Sequence, residues 1–95
     1  MMREKADFGL ALKSIRHARK LTQEDFSLIS SRTYISALER GLKNPSLDKI
    51  EKIAKTLQVS PLTLLVLAYC DEVDTRSALS IIEHLKKDLE ELKFI

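Results

Sequence analysis

Cysteine occurs once, at Cys70, tryptophan is absent, and glycine and proline occur twice each in 95 residues. One thiol cannot build an internal disulfide framework or a cysteine-rich zinc site. In its apolar context Cys70 reads as a small buried residue. So few helix breakers argue for helices joined by short turns. The longest apolar stretch, Leu62 to Cys70, is interrupted by Thr63 and is far too short to span a bilayer. The polar start, Met1-Met2-Arg3-Glu4-Lys5, has no apolar segment behind it of the kind a signal peptide needs. The expected location is therefore the cytoplasm, with no membrane contact.

What is present fits a folded chain. Hydrophobic residues are 44% and charged residues 32%, the balance of an ordered globular protein. A chain of this length buries roughly 60–68% of its unfolded surface, enough for one modest core. It is too short for a catalytic domain plus a regulatory or ligand-sensing domain, and no small-molecule ligand is expected. The net charge of +2 conceals an asymmetry: residues 1–55 carry 12 Lys/Arg against 7 Asp/Glu, and residues 56–95 carry 4 against 7. A basic front and an acidic back suggest that only the front meets a polyanion.

The apolar spacing reads as six helices. Phe8, Ala11, Leu12, Ile15 and Ala18 mark a first helix behind the cap Asp7. Thr22 followed by Asp25 approximates a capping box and opens a second, with Phe26 and Ile29 inward. A third begins near Ser31, turns Ile35 and Leu38 inward and stops at Gly41, which suits a left-handed cap. Ser46 caps a fourth, whose inner face is Leu47, Ile50, Ile53, Ala54 and Leu57. Ser60-Pro61 starts a fifth, apolar nearly all round, so one face reaches the core and another needs a partner. Asp74 or Thr75 caps a sixth reaching about Lys93. Its apolar residues Ala78, Ile82, Leu85, Leu89 and Leu92 follow a heptad seam. That seam either folds onto its own domain or pairs with a second subunit. The second surface on helix five favours pairing, with Leu64 and Leu67 joining the seam as dimerisation residues.

The second and third helices have the order and spacing of a helix-turn-helix, spanning about Thr22 to Arg40. On the third helix Arg32, Thr33, Ser36 and Ala37 lie opposite Ile35 and Leu38. Arginine can pair with both guanine acceptors in the major groove, threonine with a base edge, and alanine with a thymine methyl. The free N–H groups at Thr22-Gln23-Glu24 and the Gln23 amide suit a phosphate oxygen. Arg40, Lys43, Asn44 and Ser46 offer further donors in the following loop. No phosphate-binding loop, metal-spaced ligand set or nucleophile motif accompanies them, so neither enzyme activity, metal nor cofactor is expected. His17 and His84 read as surface residues.

Three segments in order, Leu21-Thr22-Gln23-Glu24-Asp25-Phe26, Ser31 through Gly41 (Ser-Arg-Thr-Tyr-Ile-Ser-Ala-Leu-Glu-Arg-Gly) and Asn44-Pro45-Ser46-Leu47, resemble the Xre/Cro family of phage-repressor-like regulators. They are also similar to the small controller proteins of restriction–modification systems. The resemblance covers about Phe8 to Ala68. It implies an all-α fold: a five-helix lambda-repressor-like domain over residues 7–69, here extended by a sixth, dimerising helix over 74–94. It further implies a homodimer on an inverted-repeat operator in double-stranded DNA, acting as a repressor without catalysis. By position it makes Gln23 a phosphate contact, Arg32, Thr33, Ser36 and Ala37 the base-reading face, and Tyr34, Arg40, Lys43 and Asn44 backbone or groove-edge contacts. It also implies a structural ion pair between Arg16 and Glu39. The run Phe26 to Ser31 departs from the family: it is about two residues short and lacks the usual glycine, so helix two must end early or its turn must tighten. An antitoxin-like or adaptor role, with helices five and six holding another protein, is the alternative function.

Overall fold

The computed structural model describes residues 2–94, and its order of elements follows from its caps. α1 (Phe8–Ala18) begins where the Asp7 carboxylate accepts from the Leu10 N–H. α2 (Arg32–Glu39) begins at Ser31, whose hydroxyl accepts from Tyr34 N–H, and ends before Gly41 at φ 76°. α3 (Leu47–Leu57) is capped by Ser46 and closes with Gln58 in the left-handed region. α4 (Pro61–Ala68) starts at Ser60-Pro61, and α5 (Thr75–Leu92) is capped by Asp74.

Between α1 and α2 lies the departure foreseen in the sequence. The second helix is a single 3-10 turn, Gln23–Phe26, not an α-helix. Only eight residues separate the cap Thr22 from the cap Ser31, too few for two α-turns and a connection. The Ser27 N–H bonds the Glu24 carbonyl, and the Ile29 and Ser30 N–H groups bond the Phe26 carbonyl, all at 3.0 Å. These bonds reverse the chain without glycine. Phe26, fully buried, anchors the turn, whereas Leu28 at its tip is 98% exposed.

The core gathers Leu12 and Ile15 from α1, Phe26 from the turn, Ile35 and Leu38 from α2, Ile50, Ile53 and Leu57 from α3, and Leu64 and Ala68 from α4. α1 packs on both α4 and α2, and α3 on α4. α1 approaches the end of α2 so closely that a Cβ on Gly9 would lie 2.3 Å from the Leu38 carbonyl oxygen. The N-terminal segment is tied to the end of α4. Arg3 N–H and Asp7 N–H donate to the carbonyls of Tyr69 and Ala68, each at 2.7 Å, and Arg3 Nε donates to Cys70 at 2.8 Å. Those carbonyls would otherwise lack partners at a helix end. Arg19 does the same for α3, donating to the Leu57 and Gln58 carbonyls at 3.1 Å each.

Two sequence expectations about burial are corrected. Leu47, placed on the inner face of the fourth helix, is exposed, because it occupies the first helical position, ahead of the turn that meets the core. Leu64, placed on a dimer surface, is buried in its own core. A helix that is apolar on all sides gives no periodic signal for which side turns inward. α5 touches the body through α4 and buries Ile81, which lies beside the heptad seam; Ala78 is half-buried, and Ile82, Leu85, Leu89 and Leu92 are exposed. Among the described residues no helix is long and apolar enough to cross a membrane.

Candidate nucleic-acid interface

The outer face of α2 is prepared by what locks its inner face. Ile35 and Leu38 sit in the core, and Glu39 at the C-terminal end is held by Arg16 of α1. The guanidinium binds the carboxylate with two hydrogen bonds, Nε to Oε2 at 2.7 Å and Nη2 to Oε1 at 2.9 Å, while Nη1 donates to the Leu21 carbonyl at 3.0 Å. Gln23 adds an amide donor to the same Oε1 at 3.2 Å. Both charged side chains are nearly buried, 11% and 5% exposed. Burial alone would push the Glu39 carboxyl up. The hydrogen bonds from Arg16 and Gln23 and the Arg16 charge outweigh it and hold Glu39 below the usual glutamate range. Donating to the Glu39 carboxylate likewise holds Arg16 firmly in its charged form. One network therefore joins α1, the 3-10 turn and α2, and fixes their mutual angle.

On the opposite side, Arg32 and Thr33 are exposed and Ser36 is half-buried. Arg32 approaches Glu24 of the turn at only 3.6 Å, both side chains being about two-thirds exposed, a loose pair easily exchanged. Ala37 does not join this face: it is only 6% exposed. Its methyl is short, and the chain after α2 turns back over it, the Leu42 N–H bonding the Ala37 carbonyl at 2.9 Å.

Around this face stands a set of cations and donors. Arg40, Lys43, Asn44 and Ser46 are exposed, though Arg40 Nε turns back weakly to the Ser36 carbonyl at 3.4 Å and the Ser46 hydroxyl is engaged as a cap. The Tyr34 ring is half-buried between Lys43 and Lys49, whose Nζ atoms lie 5.8 and 5.3 Å from its centroid. In the Thr22 to Glu24 segment three donors are already engaged: the Thr22 N–H and hydroxyl donate to Asp25 at 2.6 and 3.1 Å, and one Gln23 amide hydrogen is held by Glu39. The second amide hydrogen of Gln23 is left to meet an anion, beside the backbone N–H groups at the start of the turn.

Sequence reasoning missed two contributors. Lys49 lies on the polar face of α3, where spacing makes it ordinary surface. In the fold its ammonium donates to the Ile29 carbonyl at 2.7 Å, pinning the shortened turn. Lys5, in the polar N-terminal segment, lines a cleft with Lys43, Asn44 and Tyr69. Its signal was the basic excess of the front half alone. Among the described residues no group of His, Cys, Asp and Glu is placed to hold a metal.

Comparison with known proteins agrees with this geometry. A helix-turn-helix family model matches residues 12–64. The control protein C.BamHI of Bacillus amyloliquefaciens is 48% identical over 61 residues, which span 61% of this chain and 75% of that protein. The crystal structure of the restriction–modification controller protein C.AhdI from Aeromonas hydrophila is similar with a TM-score of 0.58 at 36% identity, over 62% of this chain and 92% of that one.

Proposed function

Because the chain belongs to the helix-turn-helix family of DNA-binding transcription regulators and is homologous to restriction–modification controller proteins, we propose that it is a sequence-specific repressor binding an inverted-repeat operator as a homodimer. The observation that carries this reading is the division of α2. One face is locked by Ile35, Leu38 and the Arg16–Glu39 pair, and the other presents Arg32, Thr33 and Ser36 from the exposed N-terminal end. In the complex α2 enters the major groove. Arg32 takes a guanine edge, and Thr33 and Ser36 read neighbouring positions. Thr22 and Gln23 at the 3-10 turn, with Tyr34, Arg40, Lys43, Asn44 and Ser46, set the register on the phosphates and carry no sequence information.

The unit that binds DNA spans residues 7–69, and residues 74–94 serve dimerisation through Ala78, Ile82, Leu85, Leu89 and Leu92, joined by Leu67 of α4. The two recognition helices then sit about one helical turn apart, roughly 34 Å. The protein acts in the cytoplasm by occupancy alone, without catalysis, and by kinship with the controller proteins its operator lies before restriction–modification genes. Selection of bound sites from random DNA, combined with sizing of the complex, tests this. A palindrome bound by two chains is expected. Equal affinity for all sequences, or a stoichiometric protein partner in place of DNA, overturns it.

A further inference from the structure

We propose that α5 pairs with α5 of a second copy as a short parallel two-stranded coiled coil. This rests on the homodimer reading above and specifies its seam and its direction. α5 spends one large side chain, Ile81, on its own domain. Leu79, Ile82, Leu85, Leu89 and Leu92 remain 46–60% exposed along the rest of the helix. A continuous aliphatic stripe of this length is seldom left in water. The family match ends at residue 64, well before α5 begins, so this surface is an addition to the shared domain.

The charges flanking the stripe select the occupant and its direction. In heptad terms Ile82 and Leu89 take the a positions, and Ala78, Leu85 and Leu92 the d positions. Lys86 then falls at e and Asp88 at g, while Lys93 follows Leu92 as the left-handed cap of the helix. In a parallel pair each g residue meets the e residue five places further along the partner. For Asp88 that place is the end of the partner helix, where the cap Lys93 carries the opposite charge on a flexible stem, and symmetry repeats the contact on the other side. The antiparallel register that sets Ile82 against the partner's Leu92 and Leu85 against the partner's Leu89 instead brings Lys86 near its own copy and Asp88 near its own copy. Among the described residues Lys86, Asp88 and Lys93 make no ion pair within the chain, so they are free to serve this contact. Of the two a positions Ile82 is β-branched, and with Leu85 and Leu92 at d it leans toward two parallel strands. Two heptads are marginal as an isolated coil. Here each α5 is already ordered by its cap and by packing on α4, so less entropy is lost on association. Parallel pairing also places both domains at one end of the coil about a two-fold axis, the symmetry of an inverted repeat.

The full-length chain tests this directly. Leu92→Cys, at an exposed position, is expected to give under mild oxidation a disulfide-linked dimer joined through position 92 of both copies. The wild type stays unlinked because Cys70 is buried. If a mixture of Ile82→Cys and Leu92→Cys chains links mainly between the two positions, the helices are antiparallel and the proposal is wrong, while the homodimer reading survives. A chain that sizes as a monomer at micromolar concentration overturns both. Asp88→Lys or Lys93→Asp alone should weaken the dimer on the order of fivefold, and the double exchange should restore it. A double variant no better than either single one removes the Asp88–Lys93 contact from the account.

Discussion

Arg16 and Glu39 show how residues away from the exposed face of α2 fix its orientation. Their pair is nearly buried, so removing one partner strands the other charge out of water. Arg16→Met is expected to lower stability by about 3–5 kcal/mol, read as a lower urea midpoint. The pair also sets acid sensitivity. Glu39 has a lowered pKa in the fold, so its contribution is complete above the ordinary glutamate value of about 4.3 and is lost as pH falls through the lower folded value. The wild type should therefore lose stability as pH falls below about 4.3 more steeply than Glu39→Gln, as pH-dependent urea melts would show. Arg32 is the contrasting case, exposed and almost free. Arg32→Ala should leave the melting curve unchanged while costing about 1–3 kcal/mol at one base position, with preference relaxed there alone. A footprint with unchanged sequence preference would remove Arg32 from the reading face. Arg32, Arg16 and Glu39 could all be named from the sequence, because a motif fixes their places. Gly9 and Ala37 could not be read correctly. The first is constrained by the α2 carbonyls, and the second is covered by the loop after it. Both neighbours arrive only when the chain folds.

Among the elements, the 3-10 turn has the least support of its own, since it buries one side chain and is four residues long. Lys49 supplies what it lacks by reaching from α3 to the Ile29 carbonyl and lying over the Tyr34 ring. Lys49→Met should cost about 1–2 kcal/mol and loosen the entry to α2 before it affects α1 or α4. Native-state hydrogen exchange would show this as faster exchange confined to residues 26–34. Equal acceleration in α1 and α4 would instead mean that Lys49 supports the whole domain. The missing pair of residues in this segment was visible in the sequence. The response to it was not, because a shortened connection can be closed by an early helix end or a tighter turn. The choice fell to a lysine twenty residues away.

For the whole molecule, the division of charge becomes a division of space. The basic front contains α1, α2 and nearly all of α3, and the acidic back contains α4 and α5. α5 extends the molecule to 43 Å along its longest axis against 27 and 23 Å across. Cations gathered around α2 make binding strongly salt-dependent, because each neutralised phosphate releases counterions. Lys43→Ala should weaken binding to all sequences alike and lower the slope of log K against log salt by about 1, measured as affinity over a salt series. A change in sequence preference without a change in slope would move Lys43 from the backbone to the base edges.

The sequence alone determined the helical class, the caps that start each helix, the helix-turn-helix order and the seam of the last helix. Each is local, written in residues within about one or two turns of one another, where backbone geometry and hydropathy act directly. Tertiary structure decided which side of the uniformly apolar α4 is core, that Leu64 faces inward, that Ala37 is covered and that Ile81 docks α5. It also made the N-terminal segment a cap for α4. Those outcomes depend on which distant surfaces compete for the same apolar area and the same unpaired carbonyls, and that competition is settled only in three dimensions.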